Sequence, residues 1–180
     1  MRMWILAAGI AAAAMAAEPL LAQVVVATPS TAPGNPIALV DSNGNVAGRP
    51  LNETLMLVTL GTSVVAPAVI RPIFDADGRA ASALATWHSG GTVLFTSADC
   101  TTGAHVYSSA HPGVRAASQV KTEAGIVLYA GAVGPTVTAA IQSILYDTGC
   151  ARVAVSQNGL APVVATVNLT AVYPPPLSFQ

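Results

Sequence analysis

Apolar and polar residues alternate along the chain in short runs, and residues that favour turns separate these runs. From Val163 to Thr170 the apolar positions alternate with polar ones, and a period of two recurs over residues 151–156. Such alternation indicates β-strands with one buried face. About eight to ten short strands, spaced roughly 8–15 residues apart, predict an all-β fold, either an antiparallel β-sandwich or a barrel. The pattern does not decide between the two.

Glycine-containing turns divide these runs. Asn43–Gly44 lies between two apolar runs and predicts a hairpin, because both turn residues must tolerate a positive φ. Ser89–Gly91 is a second hairpin candidate, between runs at residues 83–88 and 92–97. Asp75–Gly78 and Gln157–Gly159 are further predicted turns.

Residues 138–146 fit two kinds of secondary structure. As a short helix they would place Ile141, Ile144 and Leu145 on one face, whereas as a strand they would alternate inward and outward positions. The strand is favoured, and the helix is the alternative. Residues 124–146 carry no charge, but glycines and a proline interrupt them, so a hairpin is favoured over a membrane span.

Residues 1–22 have the organisation of a secretory signal peptide. Arg2 precedes an apolar run from Ile5 to Ala17, and small residues follow. This run is shorter than the roughly 20 residues that a membrane-spanning helix needs. We therefore expect cleavage after Ala22 or Ala16 and no permanent membrane anchor. The alanine-rich apolar run resembles those of bacterial signal peptides.

The remainder of the chain divides by composition. Residues 23–36 are uncharged and contain three prolines, which predicts an extended arm. Residues 37–173 predict the β-domain, and residues 174–180, which begin with three prolines, predict a Pro-rich tail. The expected location of the protein is the periplasm or the outside of the cell.

Charged residues are scarce in this chain. Lys and Arg total 7, Asp and Glu total 8, and 53% of the 180 residues are hydrophobic. This apolar content argues against a disordered chain. A formal net charge of −1 gives no electrostatic attraction for nucleic acid or anionic lipid, so neither is an expected partner.

The two cysteines, Cys100 and Cys150, predict one disulfide in an exported chain. Closing a loop of about 50 residues stabilises the folded state by roughly 4 kcal/mol in the chain-entropy treatment. The competing interpretation is a zinc site that adds His105 and His111. The spacing of these four residues matches no common zinc motif, so the disulfide is preferred and no metal or cofactor is predicted.

Candidate catalytic residues are few. Asp41–Asn45 and Asp75–Gly78 each resemble a fragment of a calcium loop, but both lack the first and the twelfth ligand of such a loop and are interpreted as turns. No G-x-S-x-G sequence occurs, and adjacent residues of a strand such as His88 and Ser89 point to opposite sides. His88, Ser89 and Asp75 are therefore only weak catalytic candidates.

Several segments together resemble a recurrent pattern in uncharacterised exported bacterial proteins. The segment VDSNGNVAG at Val40–Gly48 resembles a VxDxxGxxVG hairpin of that pattern. It is followed by a segment resembling F/Y-x-S/T-x-DC-x-G at Phe95–Gly103, a second cysteine and a Pro-Pro tail. The likeness covers roughly residues 37–176. Gly103 stands one residue later than in the pattern, and Leu177 replaces an aromatic residue. The resemblance implies export, a disulfide and a β-fold, without an activity.

These observations favour an exported, non-catalytic β-domain with a structural or binding role at the cell surface or in the periplasm. Its partner would be another envelope component or a second copy, since edge strands with little charge invite pairing with another chain. The alternative is an exported hydrolase with a site assembled around His88. A small-ligand or metal carrier is a third possibility.

Overall fold

The computed structural model describes residues 38–109 and 114–180, without the side chains of residues 81–83. The predicted signal peptide and arm, and His111 of the alternative zinc site, lie outside the described residues. Within the described part, twelve strands and one short helix follow in this order: β1 Leu39–Val40, β2 Val46–Pro50, β3 Leu55–Leu60, β4 Val64–Phe74, β5 Ala80–Trp87, β6 Val93–Phe95, β7 Ala104–Tyr107, β8 Ala117–Thr122, β9 Gly125–Gly131, β10 Val137–Tyr146, β11 Gly149–Asn168, α1 Leu169–Val172 and β12 Leu177–Phe179.

The first of two sheets is a closed antiparallel barrel with the strand order β1-β12-β5-β4-β3-β2. Alternate residues of β3 and β4 are buried, as a period of two requires when one face lines a core. Trp87 is fully buried in this core, and its indole Nε1 donates a hydrogen bond to the carbonyl oxygen of Tyr173 at 2.9 Å. The all-β prediction is confirmed.

The second sheet has the strand order β10-β6-β7-β11-β9-β8, and β10 also pairs with β11. The 20-residue strand β11 pairs with β10 over its first part and with β9 over its last part. Leu128, Ala130, Ala165 and Val167 of this sheet belong to the same hydrophobic cluster as the barrel residues. Strands β9 and β11 therefore share a core with the barrel, while other buried residues of the second sheet form two further clusters. The residues 163–168 alternate as predicted, but Leu169 and Thr170, which were expected to continue this strand, begin helix α1.

Two predicted turns are confirmed, and two other predictions are wrong. Asn43–Gly44 joins β1 to β2, and Asp75–Gly78 joins β4 to β5. Ser89–Gly91 does not form a hairpin, because β5 belongs to the barrel and β6 to the second sheet. The helix alternative for residues 138–146 is wrong as well, since β10 is a strand that pairs with β11 and β6.

The predicted turn at Gln157–Gly159 is a β-bulge inside β11. Ala139 pairs with Gln157 whereas Val137 pairs with Leu160, so β11 holds one extra residue there. Gly159 has a φ of 69°, a conformation that glycine adopts without strain. A second register shift places two β11 residues opposite Gln142, which interrupts the alternation expected over residues 151–156.

The C-terminal residues are not a tail outside the β-domain. Leu177–Phe179 forms β12, which pairs with β1 on one side and β5 on the other and thereby closes the barrel. Leu177 is fully buried. The described chain contains no helix that is long and apolar enough to cross a lipid bilayer.

Candidate functional site

The disulfide between Cys100 and Cys150 is confirmed. It ties the loop between β6 and β7 to the beginning of β11, with 6.0 Å between the two Cα atoms. Because both sulfur atoms are bonded to each other, they are not thiolate ligands and the zinc interpretation is wrong for this state. Nδ1 of His105, in strand β7, lies 2.8 Å from the carbonyl oxygen of Gly103 just before that strand.

Ser143 holds the same loop on strand β10. Its side chain is fully buried, and its hydroxyl donates to the carbonyl oxygen of Ser97 at 2.6 Å while accepting from the amide of Cys100 at 3.0 Å. Gly103 has a φ of 67°, and a Cβ atom there would lie 1.8 Å from Oγ1 of Thr96. The DC-x-G segment of the sequence pattern therefore has a structural role, because its residues build a disulfide-bonded loop.

Asp99 also accepts a hydrogen bond within this loop. The hydroxyl of Thr101 donates to Oδ1 of Asp99 at 2.7 Å. Hydrogen bonds from the side chains of Thr101 and Ser97 lower the pKa of Asp99 below its ordinary value, although the carboxylate is fully exposed. A hydrogen-bonded carboxylate of lowered pKa stays ionised and is a poor proton donor at neutral pH.

His88 and Ser89 lie in a cleft of about 280 Å³ between the barrel and strand β8. The Ser89 side chain hydrogen bonds to the carboxylate of Asp147, and the amide of Lys121 donates to the same carboxylate at 2.7 Å. Burial raises the pKa of Asp147, but these hydrogen bonds and the nearby Lys121 charge outweigh burial and lower it. Ser89 is thus paired with an acceptor that is a carboxylate rather than an imidazole.

The third catalytic candidate lies elsewhere. Asp75 is in the turn before β5, whereas His88 follows the last residue of that strand. Oδ1 of Asp75 accepts hydrogen bonds from the amides of Asp77 and Arg79 at 3.0 and 2.9 Å. The eight residues of β5, roughly 25 Å of extended chain, separate Asp75 from His88. The structure therefore brings His88 and Ser89 to one cleft and does not bring Asp75 to it.

The other calcium-like segment is also a turn. Asp41 is buried, and its Oδ1 accepts from the amides of Asn43 and Asn45 at 2.8 Å each. This carboxylate therefore satisfies the amides of its own hairpin. Within residues 38–109 and 114–180, no three His, Cys, Asp or Glu side chains come together as a metal site.

Gln119 joins the two sheets, a role that no local pattern in the sequence indicates. Its Nε2 donates to the carbonyl oxygen of Val69 in β4 at 3.2 Å, and its Oε1 accepts from the Val69 amide. Arg115 makes a second link, with Nε donating to the Val65 carbonyl at 3.2 Å and Nη1 to the Gly131 carbonyl at 2.5 Å. Partners some 50 residues away in sequence leave no local signal for these roles.

Gly91 allows the cleft segment to lie against strand β8. Its amide donates to the carbonyl oxygen of Gln119 at 2.9 Å. A Cβ atom at Gly91 would lie 2.3 Å from Oγ of Ser118 and 2.8 Å from that carbonyl oxygen. The edge of β8 is therefore covered by this segment and by Asp147, a common way of protecting an edge strand.

The β10–β11 hairpin, residues 137–160, presents an exposed surface with little charge. Among residues 149–158 only Val153 and Gln157 are partly covered, and the strand residues of the hairpin carry one charge, on Arg152. Val155 is 49% exposed. An exposed apolar surface of this kind is typical of contact with another molecule.

No protein-family model, no curated protein and no solved structure matches this chain.

Proposed function

We propose that this chain is an exported, non-catalytic β-protein with a structural or binding role at the cell surface or in the periplasm. The signal-peptide organisation of residues 1–22 supports export. The Cys100–Cys150 disulfide supports it too, because disulfides form and persist in oxidising compartments.

The use of the polar side chains supports a non-catalytic role. Nucleophilic catalysis needs a hydroxyl or thiol beside a base that removes its proton. Ser89 bonds to the Asp147 carboxylate, whose lowered pKa makes it a weak base, and the Asp75 carboxylate accepts hydrogen bonds within its own turn. Both cysteines are in the disulfide. The hydrolase alternative around His88 accordingly has less support than the binding role.

The observation that carries the binding role is the exposed hairpin β10–β11. Contact surfaces in proteins are poor in charge at their centre, and this hairpin has a single charged strand residue in Arg152. The disulfide fixes one end of the hairpin to the β6–β7 loop, so the surface is held in place before a partner arrives. A partner then binds without the cost of ordering this surface.

Chemical cross-linking of intact cells of the native host tests this function. Ala140→Glu and Ala154→Glu each place a charge at an exposed position of the hairpin, and Ala76→Glu does so at the exposed β4–β5 turn as a matched control. We expect a cross-linked species in the wild type that falls at least tenfold in both hairpin variants and persists in the control. Its mass distinguishes a second copy from a different envelope protein.

Two results would contradict the proposal. One is a cross-linking pattern that is the same in the hairpin variants and the Ala76→Glu control. The other is a hydrolytic activity of the purified protein that disappears in a His88→Ala variant of unchanged stability, which would favour the alternative function.

A further inference from the structure

Two N-x-T sequences, the acceptor pattern of N-linked glycosylation, occur in the described chain. The first is Asn52-Glu53-Thr54 between β2 and β3, and the second is Asn168-Leu169-Thr170 at the end of β11. N-linked transfer requires an asparagine side-chain nitrogen that an enzyme can reach and a hydroxyl two residues later. These groups have different hydrogen-bond partners at the two positions.

At the first sequence all three residues are exposed. The carbonyl end of the Asn52 side chain fixes the turn, because Oδ1 accepts from the amides of Thr54 and Leu55 at 3.0 and 2.8 Å. The Thr54 hydroxyl lies 3.4 Å from the same oxygen, on the solvent side of the turn. Nδ2 of Asn52 donates to no described residue, and the side chain is exposed, so an enzyme can reach this nitrogen.

At the second sequence the same atoms are engaged in the fold. Nδ2 of Asn168 donates to the carbonyl oxygen of Ala124 at 2.7 Å, and its Oδ1 accepts from the amide of Ala171 at 3.0 Å as the cap of helix α1. The Thr170 hydroxyl accepts from the amide of Ile126 at 3.0 Å. Modification at Asn168 would replace one of the two Nδ2 hydrogens by a bulky group, and because Nδ2 lies 2.7 Å from the Ala124 carbonyl oxygen this group would press against the β8–β9 turn.

We infer that Asn52 is an acceptor site for an N-linked oligosaccharide and that Asn168 in the folded protein is not. The inference rests on the proposed export, because the donor, a polyprenyl-pyrophosphate-linked oligosaccharide, is used outside the cytosol. In the transfer, Nδ2 of Asn52 forms a bond to C1 of the first sugar while the bond from C1 to the pyrophosphate oxygen breaks. The polyprenyl pyrophosphate leaves with the electron pair, and the transferase takes the amide proton.

The test uses the folded, disulfide-bonded protein with a purified oligosaccharyltransferase and its polyprenyl-linked donor. Peptide mass spectrometry measures the occupancy of each asparagine. Synthetic peptides of residues 50–56 and 166–172 present the same two sequences without the fold, and both are expected to be modified. In the folded protein we expect occupancy at Asn52 to exceed that at Asn168 at least tenfold.

Asn52→Gln and Thr54→Ala are expected to abolish the modification of the folded protein. Asn43→Gln, which changes another exposed turn asparagine outside any N-x-T sequence, leaves it intact. Equal occupancy at Asn52 and Asn168, or an unmodified Asn52 in either the protein or its peptide, overturns the inference. Because the reaction is carried out on purified protein, such a failure leaves the cross-linking test of the proposed function unaffected.

Discussion

At the scale of single residues, side-chain hydrogen bonds to the backbone of strand β4 join the barrel and the second sheet. The amide group of Gln119 pairs with both backbone groups of Val69, much as a neighbouring strand would. Gln119 is 5% exposed, so these bonds form away from water, where an unsatisfied polar group is costly. The amide of His88 also donates to the Val69 carbonyl, at 2.9 Å.

Gln119→Ala tests this link. It leaves the Val69 amide without its acceptor, while the Val69 carbonyl keeps its bond from His88. We expect a loss of about 1–3 kcal/mol in the free energy of unfolding. Urea unfolding of the variant and of Gln142→Ala, an exposed glutamine of β10, measures the difference. A cost at Gln119 no greater than at Gln142 would show that the link contributes little.

The sequence predicts the roles of the cysteines and of the turn aspartates, but not the role of Gln119. The disulfide followed from two cysteines in a chain with signs of export. The role of Gln119 did not follow, because a glutamine in a strand looks like any exposed polar residue until its distant partner is known. Asp75 and Asp41 were correctly interpreted as turn residues, since Asx-type hydrogen bonds involve only near neighbours.

At the scale of elements, alternation predicted strands well and turn residues predicted connections only in part. The residues 163–168 alternate as expected because Ala165 and Val167 face the barrel core, whereas the strand ends at Asn168 and does not continue to Thr170. Gln157–Gly159 looked like a turn because Asn-Gly suits a positive φ, but a bulge uses the same conformation within a strand. Local sequence does not distinguish these two uses of one backbone shape.

The strand β12 was missed because it is only three residues long and follows three prolines. Its importance comes from its partners, since pairing with β1 and β5 closes the barrel. Three residues are too few to predict that a segment pairs with two strands that lie far away in the sequence.

Leu177→Ala tests the role of β12. Leu177 is fully buried in the barrel core, so we expect the variant to lose about 2–5 kcal/mol of unfolding free energy. Ser178→Ala, in the same strand but partly exposed, should cost less than about 1 kcal/mol. Thermal and urea unfolding of both variants measures these losses. Equal, small effects would mean that residues 177–179 do not contribute to the core.

At the scale of the whole molecule, a barrel and part of a second sheet share one core, and the disulfide joins the β6–β7 loop to the beginning of β11. The sequence could predict the class of fold but not this arrangement. Which strands pair depends on contacts between distant segments, and alternation reports only that a strand has a buried face. The choice between sandwich and barrel therefore had to come from the structure.

The account of the whole protein depends on one central claim, that the chain leaves the cytosol and is held by a disulfide in an oxidising compartment. The most direct test is the intact mass of the protein isolated from the native host with its thiols blocked on lysis and any glycan removed enzymatically. We expect the mass of a chain without its N-terminal signal peptide, with no blocked thiol and two hydrogens fewer than the reduced form. A full-length chain with both Cys100 and Cys150 blocked would contradict the claim.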